Sequence, residues 1–134
     1  MHVKFRLRKA ETKWGQNLAM VGGGRLLGNW KPESTHLKME TNKQLYPSWE
    51  CSQIVRFTSK EECRNLEYKY IMVDDKGGSV VWESGDNHKV DLSKMIDKYQ
   101  GPENVVVVED DAFNSKRKSP KVYKQGEVPV PDAK

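Results

Sequence analysis

The amino-terminal stretch of the chain alternates apolar and charged side chains with a period of two residues. Val3, Phe5 and Leu7 are separated by basic residues, a pattern typical of a strand with one buried face. Similar short runs follow, and turn signals such as the glycine run 22–24 and the segment 74–78 separate them. The pattern predicts strands at residues 2–8, 17–21, 36–39, 49–57, 66–73, 79–83 and 104–109.

The arrangement of these runs indicates the fold class. Segments 49–57, 66–73 and 79–83 are predicted to be three consecutive antiparallel strands, the last two joined by a tight hairpin. Residues 90–98 are predicted to form a short helix before the last strand. Many short strands and little helix are typical of an immunoglobulin-like sandwich or a small barrel. We expect an all-β, antiparallel, immunoglobulin-like β-sandwich of seven to eight strands.

Composition divides the chain into two parts. A length of 134 residues suits one domain with one core. Residues 1–113 are predicted to be that domain. The remaining segment, 114–134, has six basic residues against two acidic ones and few large apolar side chains. It is predicted to be a basic, irregular carboxy-terminal tail.

Charge and cysteine usage bear on the possible partners. The net charge of +4 is carried by the tail, because acidic and basic residues balance in 1–113, so the predicted domain lacks the basic face of a nucleic-acid-binding fold. The apolar runs are too short to span a bilayer, and the amino terminus lacks the apolar stretch of a signal peptide. Cys51 and Cys63 are predicted to be too far apart for a disulfide. We expect a cytoplasmic protein that binds neither nucleic acid nor membrane.

The sequence contains no recognisable catalytic or metal-binding pattern. His2, His36 and His88 have no metal-ligand spacing. There is no evident Ser/His/Asp set, and no pair of carboxylates is placed to flank a glycosidic bond. The glycine run 22–24 precedes a turn and not a helix, which argues against a phosphate-binding loop. The sequence therefore predicts no enzyme, no metal and no cofactor.

Two tryptophans lie where a core does not require them. Trp14 is in a polar loop, and Trp30 is in a Gly-Asn-Trp-Lys-Pro turn. Each of them either folds back to cap the core or remains exposed as a flat contact surface.

The hairpin suggests a cluster around a third tryptophan. A turn centred on Lys76 would place Lys69 opposite Glu83 and beside Trp82, with Asn87 just beyond. One interpretation is an ordinary salt bridge beside a packed tryptophan. The other is a sugar site, because an indole can stack on the apolar face of a pyranose while lysine, glutamate and asparagine bind its hydroxyls.

Several short motifs follow one another along the chain. They are ETKWGQN (11–17), VG (21–22), LGNW (27–30), WE (49–50), EYKYI (67–71) and VWES (81–84), followed by Asn87. Their order and spacing resemble the family-20 carbohydrate-binding modules, or starch-binding domains, over about residues 2–92. The resemblance implies non-catalytic binding of α-glucan (starch, amylopectin, glycogen or cyclodextrin) in a chain that is part of, or a partner to, a glucan-active enzyme.

The resemblance also implies two glucan sites. We assign Trp30, Lys69, Trp82, Glu83 and Asn87 to the first site. For the second we assign Trp14, Tyr46 and Trp49, although core packing is the first interpretation of Trp49. The alternative function is an immunoglobulin-like protein–protein interaction domain that uses its exposed tryptophans as hot spots.

Overall fold

The structure is a computed structural model that describes residues 1–76 and 78–127. The described part of the chain is almost entirely β, and no helix in it has the length and hydropathy that a membrane crossing requires. Three 3₁₀ turns lie at Gly28–Trp30, Pro32–Ser34 and Glu61–Cys63. The strands are β1 (His2–Lys9), β2 (Gln16–Gly22), β3 (Met39–Glu40), β4 (Trp49–Cys51), β5 (Val55–Arg56), β6 (Leu66–Asp74), β7 (Val80–Trp82), β8 (His88–Val90), β9 (Val106–Ala112) and β10 (Lys121–Lys124).

The strands form two sheets packed face to face, which confirms the predicted β-sandwich. The first sheet has the order β10-β9-β1-β4-β3, with β5 also paired to β1. The second has the order β2-β6-β7, with β8 also paired to β6. All pairs are antiparallel except β1 with β9, which is parallel. Phe5 of β1 meets Tyr68 of β6 edge to face, with ring centroids 6.0 Å apart, so the core lies between the two sheets.

The predicted neighbour relation between segments 49–57 and 66–73 is wrong. Strands β4 and β5 pair with β1 in the first sheet, whereas β6 lies in the second. The connection between them contains the turn Glu61–Cys63 and crosses from one layer to the other, and Cys63 is buried there. An apolar pattern specifies which face of a strand is buried but not which strand lies beside it.

The predicted helix at residues 90–98 is also wrong. After β8 the chain forms a succession of turns, in which the Met95 amide donates to Leu92 and the Lys98 amide to Met95, three residues back. Leu92 and Ile96 are buried in the core. The four-residue spacing of these two apolar residues, which resembles a helical period, therefore arises from their packing against the core. A stretch this short cannot offset the cost of helix nucleation by itself.

The segment predicted as an irregular tail contains β10, which pairs antiparallel with β9. Lys121 lies opposite Glu109, and Val122 lies opposite Val108. These cross-strand partners stabilise an additional edge strand that the Lys- and Ser-rich composition concealed. Folded structure therefore continues beyond the predicted boundary at residue 113, and the end of the predicted tail, 128–134, lies outside the described residues.

Both cysteine thiols are free and buried. Cys51 is in β4 and Cys63 is in the turn that precedes β6. Burial raises the pKa of the Cys51 thiol to about 12. Because the thiolate is the reactive form, Cys51 is an unreactive core residue.

Candidate functional site

The outer face of the second sheet carries one of the exposed tryptophans. Side chains alternate along β6, so that Tyr68 and Tyr70 point into the core while Lys69 and Ile71 point outward. Trp82 pairs with Ile71, and directly opposed residues share a face of the sheet. Trp82 therefore lies on the outer face, where it is 40% exposed. The adjoining apolar floor consists of Ala19, Val21, Ile71 and Val73.

Trp30 approaches the same face from the turn that follows β2. Along β2, Val21 faces outward and a Cβ at Gly22 would contact core residues, so the next position, Gly23, faces outward again. A Cβ built at Gly23 would lie 3.8 Å from the indole nitrogen of Trp30. Trp30 is 37% exposed. Both tryptophans are thus partly exposed on one face of the sandwich.

Polar side chains line this face between the tryptophans. Lys69 lies opposite Val21, and its ammonium group donates to the Glu83 carbonyl at 3.2 Å. The Asn87 side-chain amide donates to a carboxylate oxygen of Glu67 at 3.3 Å. Glu67 was not predicted, although its two-residue spacing from Lys69 places both on one face. The site 1 surface consists of Trp30, Glu67, Lys69, Trp82 and Asn87.

The Glu83 side chain does not belong to this surface, which corrects the sequence assignment. The Glu83 amide donates to the Tyr70 carbonyl, so Glu83 lies opposite Tyr70, one position away from the expected partner Lys69. A shift of one residue moves a side chain to the other face of a sheet. Glu83 is only 2% exposed, and its carboxylate is not available to a ligand at the surface.

Glu83 instead belongs to a buried polar network. One of its carboxylate oxygens accepts from the Tyr70 amide at 2.9 Å and lies 2.7 Å from His88 Nε2. The other imidazole nitrogen of His88 is 2.9 Å from Asp110 Oδ1. The hydroxyls of Tyr68 and Tyr70 both donate to Asp110 Oδ2 at 2.7 Å. The sequence analysis did not predict this network. Val106, Val108 and Asp110 are alternate residues of β9, and this two-residue period places Asp110 on the buried face.

Electrostatics make His88 a buried cation. Burial by itself lowers the pKa of His88, but the hydrogen bonds and charges of Asp110 and Glu83 outweigh it and raise the pKa to about 9. Burial also disfavours the charged form of Glu83, which for a carboxyl group raises the pKa. The hydrogen bond and positive charge of His88 outweigh burial, so the pKa of Glu83 is lowered. An imidazolium between two carboxylates holds β6, β8 and β9 together.

A second candidate site lies at the other end of β2. Trp14 is fully exposed and Tyr46 half-exposed, and both line an open cleft of about 720 Å³. The Tyr46 hydroxyl accepts from the Thr12 amide at 3.0 Å, which connects the two walls. Trp49 is 4% exposed and donates from its indole nitrogen to the Ala10 carbonyl at 3.1 Å. The assignment of Trp49 as a stacking residue is therefore wrong, because its ring packs in the core beneath the cleft.

Strand β2 runs between the two candidate surfaces. Trp30 follows the end of β2 and Trp14 precedes its start, so these two tryptophans are separated by the length of a seven-residue strand, about 20 Å. Trp82 lies across β6 from the middle of β2. Within residues 1–76 and 78–127, no group of histidine, cysteine, aspartate or glutamate side chains could hold a metal ion.

Comparisons with known proteins agree with the sequence motifs. The family model described as a starch binding domain matches residues 1–101. A cyclomaltodextrin glucanotransferase of Bacillus sp. (strain 1-1) is 38% identical over 86 residues, which cover 63% of this chain and 11% of the relative. A thermophilic beta-amylase of Thermoanaerobacterium thermosulfurigenes is 31% identical over 86 residues, 64% of this chain and 14% of the relative. The chain thus spans a small fraction of the length of these curated relatives.

Solved structures show the same fold. A gamma-CGTase from alkalophilic Bacillus clarkii superposes with a TM-score of 0.64 and 30% identity, over 85% of this chain and 15% of that one. The family 20 CBM of a maltotetraose-forming amylase from Pseudomonas saccharophila STB07 superposes with a TM-score of 0.55 and 24% identity. That likeness covers 84% of this chain and 100% of the isolated module.

Proposed function

Because the chain belongs to the starch-binding domain family, whose members are non-catalytic carbohydrate-binding modules, we propose that it binds α-glucan by stacking glucose rings on exposed tryptophans. One observation carries the proposal: Trp30 and Trp82 are partly exposed on the same face of the sandwich, beside Lys69 and Asn87. Family membership favours this function over a protein-interaction domain.

The chemistry of the site 1 surface matches a sugar chain. The apolar face of a pyranose can lie on an indole, and its hydroxyls can both donate and accept hydrogen bonds. Lys69 supplies a donor, Glu67 supplies an acceptor, and Asn87 supplies both. Each stacking contact contributes about 1–3 kcal/mol, on the scale measured for bases on aromatic side chains.

The second surface extends the proposal to polymeric ligands. Trp14 and Tyr46 form the walls of the cleft at the far end of β2 and supply its aromatic contacts. Two weak sites on one polysaccharide strengthen attachment through effective concentration. Since the relatives are starch-active enzymes of which this chain matches only a small part, the module would hold an attached or partner protein on starch, amylopectin or glycogen.

Affinity electrophoresis in amylopectin-containing gels tests the stacking surface. We expect amylopectin to retard the wild-type chain. In the double variant Trp30→Ala with Trp82→Ala, the affinity of the site 1 surface for amylopectin should fall at least about tenfold, because both stacking planes are removed. Ile54→Ala is the matched control, since Ile54 is an exposed apolar residue in the loop between β4 and β5.

A panel of sugars tests the ligand class. Maltoheptaose and β-cyclodextrin should bind, and cellohexaose should not, because we expect the Trp30 and Trp82 indoles to fit a bent α-glucan better than a straight chain. Binding should persist at high salt, since the ligand is neutral. Unchanged retardation of the double variant, or equal binding of cellohexaose, contradicts the proposal.

A further inference from the structure

The segment that follows β9 packs against the loop that carries part of the site 1 surface. This segment, residues 114–118, lies beyond residues 1–101 that the family model matches. Its contacts are with residues 83–89, the stretch that begins directly after Trp82 and contains Asn87. A part of the chain outside the family region therefore adjoins the proposed glucan surface.

Asn114 provides the first set of contacts. Its backbone is left-handed, with φ of 64°, a conformation that asparagine tolerates. Its amide donates to the second carboxylate oxygen of Glu83 at 2.9 Å. Its side-chain oxygen accepts from the Ser84 amide at 2.8 Å and from the Ser84 hydroxyl at 3.3 Å. Asn114 thus holds both residues that follow Trp82.

Lys118 provides the second set. Its ammonium group donates to the Ser84 carbonyl at 3.1 Å and lies 3.5 Å from the same Glu83 oxygen that Asn114 binds. Its carbonyl accepts from the Lys89 amide at 3.4 Å. The side chain is 13% exposed, and a Cβ built at Gly85 would lie 3.6 Å from its Cε atom. Lys118 therefore lies along the loop and fixes both of its ends.

Glu83 joins these contacts to the core. One carboxylate oxygen binds Tyr70 and His88, and the other binds Asn114 and Lys118. Since Glu83 directly follows Trp82, its anchoring restrains the strand end that presents the indole. The Asn114 amide and side-chain oxygen and the Lys118 ammonium group all contact protein partners, so these residues can influence ligand binding without touching the ligand.

We propose that Asn114 and Lys118 are positioning residues of the site 1 surface, which hold residues 83–87 so that Trp82 and Asn87 are set for glucan before it arrives. This inference rests on the proposed glucan-binding function. A loop that is already ordered in the free protein loses little further conformational entropy when glucan binds, so the affinity for glucan is higher. If the two restraints are lost, the loop must be ordered by the ligand.

The test uses Lys118→Met, which keeps the aliphatic stem and removes the ammonium group, and Asn114→Gly, which keeps the left-handed backbone and removes the side-chain acceptor. Each is made in a Trp14→Ala background, so that calorimetry with maltoheptaose reports site 1. We expect the dissociation constant to rise about threefold to tenfold, with faster amide hydrogen exchange at residues 84–89. Lys118→Arg should restore most of the affinity, and Lys124→Met, a lysine of β10, is the control.

Two outcomes overturn the proposal. One is an unchanged dissociation constant in both variants. The other is an equal loss at the second site, measured in the Trp30→Ala and Trp82→Ala background, because a general loss of stability would affect both sites. Failure of the glucan function itself is distinguishable: maltoheptaose would then not bind the wild-type chain, or binding would be insensitive to Trp30 and Trp82, and both proposals would fall.

Discussion

His88 is the residue on which several parts of the fold converge. Its imidazole has no access to solvent and lies between the carboxylates of Glu83 and Asp110. Tyr68 stacks on it with a centroid distance of 5.2 Å and an interplanar angle of 9°, and Tyr70 meets it edge-on. A buried ion pair is stable only when its members are well hydrogen-bonded. Here the Tyr70 and Asn114 amides donate to the two oxygens of Glu83, and both tyrosine hydroxyls donate to Asp110 Oδ2. Asp110 Oδ1 has the His88 ring nitrogen at 2.9 Å as its charged neighbour.

The stability of the fold should depend on pH because of His88. Its pKa is about 9 in the folded protein and ordinarily 6.5, so its contribution is complete below about pH 6.5 and is lost as pH rises through about 9. The loss amounts to about 3 kcal/mol. Tyr68 and Tyr70 remain neutral over this window, because burial first and then Asp110 raise their pKa well above 10.

Urea denaturation across this pH range measures the effect. The free energy of unfolding of the wild-type chain should fall with rising pH. The His88→Gln variant should be less stable at pH 6.5 and should show a flatter profile, since it has no proton to lose. A wild-type stability that stays constant from pH 6.5 to 9 would mean that His88 is neutral in the folded state.

At the scale of elements, the turn after β2 decides where one indole lies. Gly28, Asn29 and Trp30 are all left-handed, with φ of 79°, 50° and 65°. The turn is held by backbone hydrogen bonds from Asn29 to Gly24 and from Lys31 to Gly28. A run of three such residues is costly for anything but glycine and asparagine. This left-handed backbone turns Trp30 back over Gly23, so the strained conformation is compatible with a functional position.

Gly28→Ala should disturb this turn. An added Cβ would lie 2.6 Å from the Thr35 backbone nitrogen and would occupy a left-handed position. We expect a loss of about 1–3 kcal/mol in the free energy of unfolding and weaker maltoheptaose binding at site 1. Gly78→Ala is the control, because nothing lies within 4 Å of its added Cβ. Equal melting temperatures for the two variants would show that the turn tolerates a side chain.

At the scale of the whole molecule, β2 separates two aromatic surfaces. Trp30 lies beyond one end of β2, Trp82 lies across β6 from the middle of β2, and Trp14 and Tyr46 line the cleft at the other end. A short oligosaccharide cannot span about 20 Å of strand and occupies one surface at a time. A long chain or a granule presents many sites, so that both surfaces can be engaged together.

Trp14→Ala should distinguish the binding of a short oligosaccharide to one surface from the binding of a polymer to both surfaces. Binding of maltotriose to site 1 should be unchanged, whereas binding to amylopectin should weaken tenfold or more, on the order of the gain that effective concentration provides. Calorimetry with maltotriose and sedimentation with insoluble starch measure the two affinities. If the variant binds both ligands as the wild type does, the cleft takes no part in polymer binding.

The local pattern determined the strands and the candidate surface. Alternation and turn signals depend on neighbouring residues, and β1, β2 and β6 were predicted to within a residue or two at either end. The series of motifs from ETKWGQN to VWES was sufficient to identify the family, because the motifs occur together in a characteristic order and spacing. The exposure of Trp14 and the core position of Trp49 also agree with interpretations that the sequence left open.

Only the tertiary structure decided which strands are neighbours and which face each side chain takes. The expected hairpin register differed from the observed one by a single position, and that shift moved Glu83 from the sugar surface into the core. The partners that hold Glu83 there include Asn114 and Lys118, about thirty residues away in the chain. Such contacts leave no periodic signal, because they depend on the packing of distant segments and not on the order of adjacent residues.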